Sequence, residues 1–276
     1  MGRAISGITP TKRVQGGWRL TNLLRNLFRQ FINSQIKLSN WFDSLLAEKY
    51  RIDGYSDFSN VVLPKYIQKN LVIYDIGGGK NPYINKEMKS WFNCRVIGLD
   101  IDKIELNSAP IGSYDKIIFE DITKYNGDQD GDLAICIALL EHVKDVKAAL
   151  AGIRSCLKTG GLCALFVPSG NAIFARINKI LPENFKKQIL FTLFPNAKEC
   201  QGFPAYYDHC TPREVQKIAK SLGFEILDKR YYYVSSYFSF FFPLYLLWRI
   251  YMLVFQWIAK EQAAETFGLI LKKVEQ

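Results

Sequence analysis

The chain has 276 residues, 49% of them hydrophobic, which is room for one large or two small domains with an easily buried core. Its six cysteines, Cys94, Cys136, Cys156, Cys163, Cys200 and Cys210, form no Cys-x-x-Cys pair, and its two histidines lie far apart. The thiols therefore read as reduced, buried and cytosolic-side, and a zinc site has little support.

The net charge of +10 is unevenly placed. Residues 1–40 hold Arg3, Lys12, Arg13, Arg19, Arg25, Arg29 and Lys37 and no Asp or Glu, an arm suited to an anionic surface, either nucleic acid or acidic lipid. No apolar run opens the chain, so no signal peptide is expected. From Trp18 onward, Leu20, Leu23, Leu24, Leu27, Phe28 and Phe31 recur at helical spacing, while Asn22, Arg25, Asn26, Arg29 and Gln30 take the other face. That pattern predicts a basic amphipathic helix, packed on the rest of the chain or lying in a membrane interface. Residues 1–60 are expected to form this arm, ahead of a main domain over 61–276.

Leu71 to Ile76 is rich in β-branched residues and reads as a buried parallel strand; Gly77, Gly78 and Gly79 then let the backbone turn and approach a ligand closely. A second strand, Val96 to Leu99, ends at Asp100, whose carboxylate can accept two hydrogen bonds from a ribose diol. The G-x-G-x-x-G loop of a dinucleotide site is incomplete, since Asn81 and Pro82 follow, and Asp75 stands before the glycines, where it repels a pyrophosphate but suits a ligand carrying an amino group and a sulfonium. An NAD-dependent Rossmann enzyme remains an alternative, because Asp100 lies about 20 residues past the loop.

Asp75-x-Gly77-x-Gly79 resembles the first motif of the class I S-adenosylmethionine-dependent methyltransferases. Further resemblances follow in the family's order. Phe119-Glu120-Asp121-Ile122 is similar to its acidic turn after the third strand, Asp132 to Val143 to its fourth strand and Leu-Glu-His turn, and Leu157 to Pro168 to its glycine turn and fifth strand. The segment from Thr211 to Val274 fits the remaining helix and two strands. Asn81 and Ala138 depart from the usual pattern. The resemblance implies a doubly wound, seven-stranded Rossmann-like α/β fold with S-adenosyl-L-methionine as cofactor. It implies that Asp75, Gly77, Gly78, Gly79, Asp100, Ile101, Asp121, Ile122 and Ile137 hold that cofactor, with no metal. It also implies that residues 170–210 cover the acceptor pocket, and a second basic amphipathic region, Phe174 to Phe194, falls there.

Tyr231 to Ile258 carries Arg249 as its only formal charge and is long enough to span a membrane, which takes about 20 apolar residues. Phe224 to Leu227 before it and Thr266 to Leu271 after it resemble the family's sixth and seventh strands, which pair antiparallel. Both ends of an insertion over 231–260 must then lie on one side of any membrane, and a single crossing is excluded. A helical hairpin broken at Pro243, a helix dipped into one leaflet, or a segment buried against the domain remain. The abundance of Tyr, Phe and Trp favours the interface, making the chain monotopic or peripheral on a cytoplasmic membrane face; a homodimer interface made of the same residues is the alternative.

An acceptor hydroxyl must lose a proton as it attacks a methyl group, which calls for a base with a pKa near neutrality. His142 and His209 are the two histidines, and Asp208 is placed to orient the second. His209 lies just before a helix signalled by Thr211 as N-cap, Pro212 at the first position and Glu214 three residues after the cap. The reading is O-methylation of a small or lipid-linked acceptor presented at an acidic membrane surface, such as a glycolipid, a polyprenyl-linked sugar or a quinone precursor. A nucleic-acid methyltransferase or binding protein using the basic arm is the runner-up, and it leaves the aromatic insertion unexplained.

Overall fold

The structure, a computed structural model, describes residues 12–180, 204–234 and 238–275; the side chains of residues 12–23 and of Ile180 are outside the description. The chain divides into two compact units, one of Met1–Leu46 with Ser236–Ile250 and one of Ala47–Ser235 with Tyr251–Gln276.

The larger unit is built on one sheet. Its strands are β1 (Val72–Ile76), β2 (Arg95–Asp100), β3 (Lys116–Phe119), β4 (Gly131–Ile137), β5 (Leu157–Pro168), β6 (Phe224–Tyr232) and β7 (Thr266–Lys273), in the spatial order β3-β2-β1-β4-β5-β7-β6. The first five run parallel, and β7 is antiparallel to both of its neighbours. The seven-stranded Rossmann-like fold is the one that the motif order implied. Side chains alternate between two cores, as a period of two requires: Tyr74, Ile76, Ala134 and Cys136 belong to one, Ile73, Leu133 and Ile135 to the other. Burial on both faces explains the near-continuous apolar runs of the central strands. The first core is completed by α5 (Val146–Cys156) and α7 (Pro212–Ser221), the second by Phe58, Val62 and Leu63 from the turns after α2 (Gly54–Asp57) and by Met88 and Phe92 of α3 (Lys86–Phe92); a short helix α4 (Lys103–Asn107) follows β2. Between β1 and β4 the strand order reverses, so a crevice opens beyond the carboxyl ends of these strands.

At the far side, Pro168 of β5 and Tyr232 of β6 both stand opposite Thr266 of β7. The insertion therefore leaves and returns at the same carboxyl edge. It is shorter than the sequence pattern predicts, because Tyr231 and Tyr232 are the last residues of β6. Among its described residues the α-helix is continuous, α8 (Phe242–Ala259), with Pro243 in its first turn. A proline there breaks nothing, since the amide it lacks has no partner inside the helix; the hairpin broken at Pro243 is thus corrected to a single helix. The second half of α8 belongs to the larger unit. There Met252 packs with Tyr233, Ala263 and Ala264, and the Tyr50 hydroxyl donates to Gln256 Oε1 at 3.0 Å.

The smaller unit pairs α1 (Lys12–Ser44) with the first half of α8. The N-terminal helix is longer than the Trp18–Phe31 stretch that its periodicity suggested. Arg249 is fully buried, and its Nε donates to Asp43 Oδ1 at 2.8 Å, while the Tyr245 hydroxyl donates to Asp43 Oδ2. The Phe242 amide donates to Gln35 Oε1, and Phe42 meets Phe242 edge-on at 6.5 Å. The lone formal charge of the apolar insertion is in this way neutralised inside its own unit.

Candidate functional site

At the end of β1 the chain must turn with little room. Gly77 has φ +77° and its Cα faces the Leu139 side chain, so a Cβ there would collide with it. A Cβ on Gly78 would sit 2.7 Å from the Asp75 carboxylate. Asp75 is buried and accepts from the Tyr83 amide at 2.8 Å. Desolvation pushes its pKa up to about 7, Tyr83 opposes the rise, and the charge of Asp100 adds to it.

Asp100 ends β2 and is itself buried, with its pKa raised by desolvation. Its Oδ1 accepts from the Asp102 amide at 2.9 Å, and its Oδ2 lies 3.5 Å from where a Cβ on Gly79 would be. The Tyr114 hydroxyl closes the loop on Gly79 O at 3.1 Å. Neither Asp75 nor Asp100 has a cation within ion-pair distance among the described residues. A crevice lined by two such carboxylates suits an ammonium and a sulfonium and disfavours a pyrophosphate. Ile101, 62% exposed, projects past the strand end.

Beyond β3, Asp121 Oδ1 accepts from the Thr123 amide and hydroxyl at 2.9 and 2.8 Å, which leaves Oδ2 for a ligand. Ile122 points its side chain into the core, so only its backbone is available to an adenine edge. Ile137, half-buried, ends β4, and Ala138 follows at φ +52° with its amide donating to Phe166 O.

The two histidines part company. His142, in the Leu140–His142 turn, has Nδ1 3.1 Å from Pro204 O and does not line the cavity that holds His209. Its neighbour Glu141 is buried, its pKa pushed up to about 8 by desolvation, and its carbonyl accepts from the Tyr206 and Tyr207 amides at 2.7 and 3.0 Å. Those bonds pin the loop over the end of β4.

That loop, with Gly170 and Asn171 beyond β5, borders a cavity of about 540 Å³ lined by Lys144, Lys179, Tyr206, His209 and Glu214 among others. His209 sits at φ +45°, with Nδ1 2.9 Å from Glu214 Oε1 and Nε2 3.7 Å from Asp208 Oδ1. The partner within hydrogen-bond reach is therefore Glu214, whereas Asp208 Oδ2 accepts from the Val146 amide at the start of α5. Because a carboxylate only accepts, Nδ1 carries a proton, and in the neutral ring the lone pair is on Nε2. The bond to Glu214, then the charge of Asp208, raises the His209 pKa. Glu214 was visible in sequence as half of a capping box; the same carboxylate takes the Thr211 hydroxyl at 2.7 Å and the imidazole. The expected cover falls partly outside the described residues, which include Ile173–Ile180 (α6) but not 181–203, where Lys186, Lys187 and Cys200 lie.

Residues 47–229 match the methyltransferase domain family, about two thirds of the chain. The chain belongs to that family: it is an S-adenosylmethionine-dependent methyltransferase, and the NAD-dependent alternative falls away. No curated protein sequence matches it. Among solved structures, the [4+2]-cyclase SpnF is similar over 82% of this chain and 86% of its own at 13% identity, TM-score 0.52. The phosphoethanolamine N-methyltransferase 2 of Haemonchus contortus is similar over 90% of this chain and 60% of its own at 17% identity, TM-score 0.51. A methyltransferase of Methanosarcina mazei is similar over 78% of this chain and 98% of its own at 18% identity, TM-score 0.50. These likenesses concern the fold, which also hosts a cyclase, and the assignment of activity rests on the family match.

Proposed function

We propose that the enzyme methylates a hydroxyl group of an amphiphilic acceptor presented at the cytoplasmic face of a membrane, with His209 as general base. S-adenosylmethionine supplies the activated methyl group. Asp100 and the Gly77–Gly79 loop hold its ribose and its amino acid end near Asp75, and Asp121 Oδ2 with the Ile122 backbone reads the adenine. The protein then aligns the acceptor and excludes water, both positioning effects. His209 takes the hydroxyl proton on Nε2, with Glu214 fixing the ring through Nδ1, as a carboxylate does in other base dyads.

One observation carries the membrane part. The insertion leaves from the carboxyl edge, and its second half is tied to the wall of the acceptor cavity. Asn171, which lines the cavity, donates to Gln262 O at 3.0 Å, and Arg176 on α6 lies 5.3 Å over the Phe255 ring of α8. On α8 itself, Leu244, Leu247, Ile250, Tyr251, Val254, Trp257 and Ile258 form an exposed stripe at helical spacing with no charge in it. On α1, Leu27, Phe31, Leu38 and Trp41 are exposed as well. An interfacial helix buries such a face in the acyl boundary, and the basic residues of α1 suit acidic headgroups.

The test is incubation with radiolabelled S-adenosylmethionine and total lipid extract. Label should enter the lipid fraction with wild type and not with His209→Ala. Label in nucleic acid instead would refute the acceptor, and a stable dimer that ignores vesicles would refute the membrane.

A further inference from the structure

A second cavity, of about 790 Å³, lies between α7 and the turn that follows α8. Arg213, Lys217 and Lys220 face it from α7 at helical spacing, and Lys260 joins them from the other side. Lys260 is held there by its backbone: it follows the last residue of α8 at φ +53°, a left-handed conformation that ends the helix, and its charge stands at the negative end of the helix. The remaining charged residue in the lining is Glu261, and its carboxylate takes the Tyr231 hydroxyl. None of the four cations has a carboxylate within ion-pair distance among the described residues. Like charges gathered around one hollow are a cost to the fold, and an anion between them removes it. Just before Lys260, in the last turns of α8, Val254, Trp257 and Ile258 are 51%, 74% and 67% exposed.

We propose that this cavity binds the phosphate of an acidic phospholipid whose acyl chains lie along the Val254–Trp257–Ile258 end of the α8 stripe. The site is separate from the acceptor cavity: the two share no lining residue. An apolar stripe running straight into a cationic hollow matches a lipid, tail and head, whereas a nucleic acid leaves the stripe uncovered. The proposal rests on the membrane reading above and makes it specific for lipid charge.

The test uses the full chain and two vesicle populations, phosphatidylcholine alone and phosphatidylcholine with one fifth phosphatidylglycerol. Wild type should sediment with both, at least about tenfold more tightly with the acidic vesicles. The triple variant Lys217→Gln, Lys220→Gln, Lys260→Gln should bind neutral vesicles like wild type and lose most of that gain, with S-adenosylhomocysteine affinity unchanged as the check on folding. Equal binding of wild type to both populations, or a gain that survives the triple variant, overturns the site and leaves the membrane reading standing. Failure of wild type to bind either population overturns both. Binding of a single-stranded oligonucleotide that the triple variant loses, without any lipid preference, assigns the cavity to nucleic acid instead.

Discussion

Asp43 and Asp75 are both carboxylates withdrawn from water, and they are treated in opposite ways. In the helical unit Asp43 meets Arg249 and Tyr245, so charge and hydrogen bonds are satisfied within the fold. At the carboxyl edge of the sheet Asp75 keeps the Tyr83 amide but, among the described residues, no cation, and its neighbour is another acid. The first arrangement holds two helices together. The second leaves the edge short of positive charge, a deficit that a cationic ligand makes good. The difference separates a pair that maintains structure from carboxylates that the proposed function assigns to the cofactor, and it can be probed from both ends.

The largest effect belongs to the satisfied pair. Asp43→Ala removes the carboxylate that the buried Arg249 guanidinium meets and should destabilise the helical unit by about 3–5 kcal/mol. Denaturant unfolding followed by the fluorescence of Trp248, against which Arg249 lies, should show it. Asp43→Leu combined with Arg249→Met should restore most of the loss; if it does not, the pair does more than neutralise itself.

His209→Ala should lower turnover about 100-fold with S-adenosylmethionine affinity unchanged. Glu214→Gln sharpens the assignment. A base works when neutral, and Glu214 is the largest cause of the raised His209 pKa, so the acid limb of the pH-rate profile should move to lower pH in the variant. An unmoved limb would mean that another group titrates.

Asp100→Ala should weaken S-adenosylmethionine by tenfold or more, about 1.5–3 kcal/mol, with the fold intact. Calorimetric titration decides it, and wild-type affinity in the variant would remove the ribose assignment.

The smallest effect is the most diagnostic of a carboxylate without a cation. The folded pKa of Asp75 is raised to about 7, above its unfolded value. Its contribution to stability is therefore full below about pH 4 and is lost as pH rises through 7. Asp75→Asn should flatten the fall of the apo enzyme's melting temperature over that window. Glu141, pushed up to about 8, contributes in the same direction and sustains the residual slope.

Local patterns made the sheet legible. Strands buried on both faces write themselves as apolar runs, and glycine turns mark their ends, so β1, β2, β4 and β5 stand out from single stretches of sequence. Tyr231 and Tyr232 did not, because an aromatic strand end running into an aromatic insertion shows no change of composition. The histidine's partner was hidden for another reason: Asp208 is adjacent in sequence, but the helical turn brings Glu214 closer. Asp43 and Arg249 lie 206 residues apart, and no local pattern announces such a pair.

The pairing of Tyr232 and Pro168 with the same residue, Thr266, has a consequence for how the molecule can be taken apart. A polypeptide excursion whose two ends are already clamped side by side adds little to the entropy of closing the sheet, about 0.6 kcal/mol for each doubling of its length. The closing entropy of the sheet therefore depends little on the length of the excursion. The strand ends that form the proposed cofactor site lie outside the excursion, so a glycine bridge from Tyr232 to Thr266 should yield a core that still binds S-adenosylhomocysteine, and under the proposed function it should no longer bind vesicles.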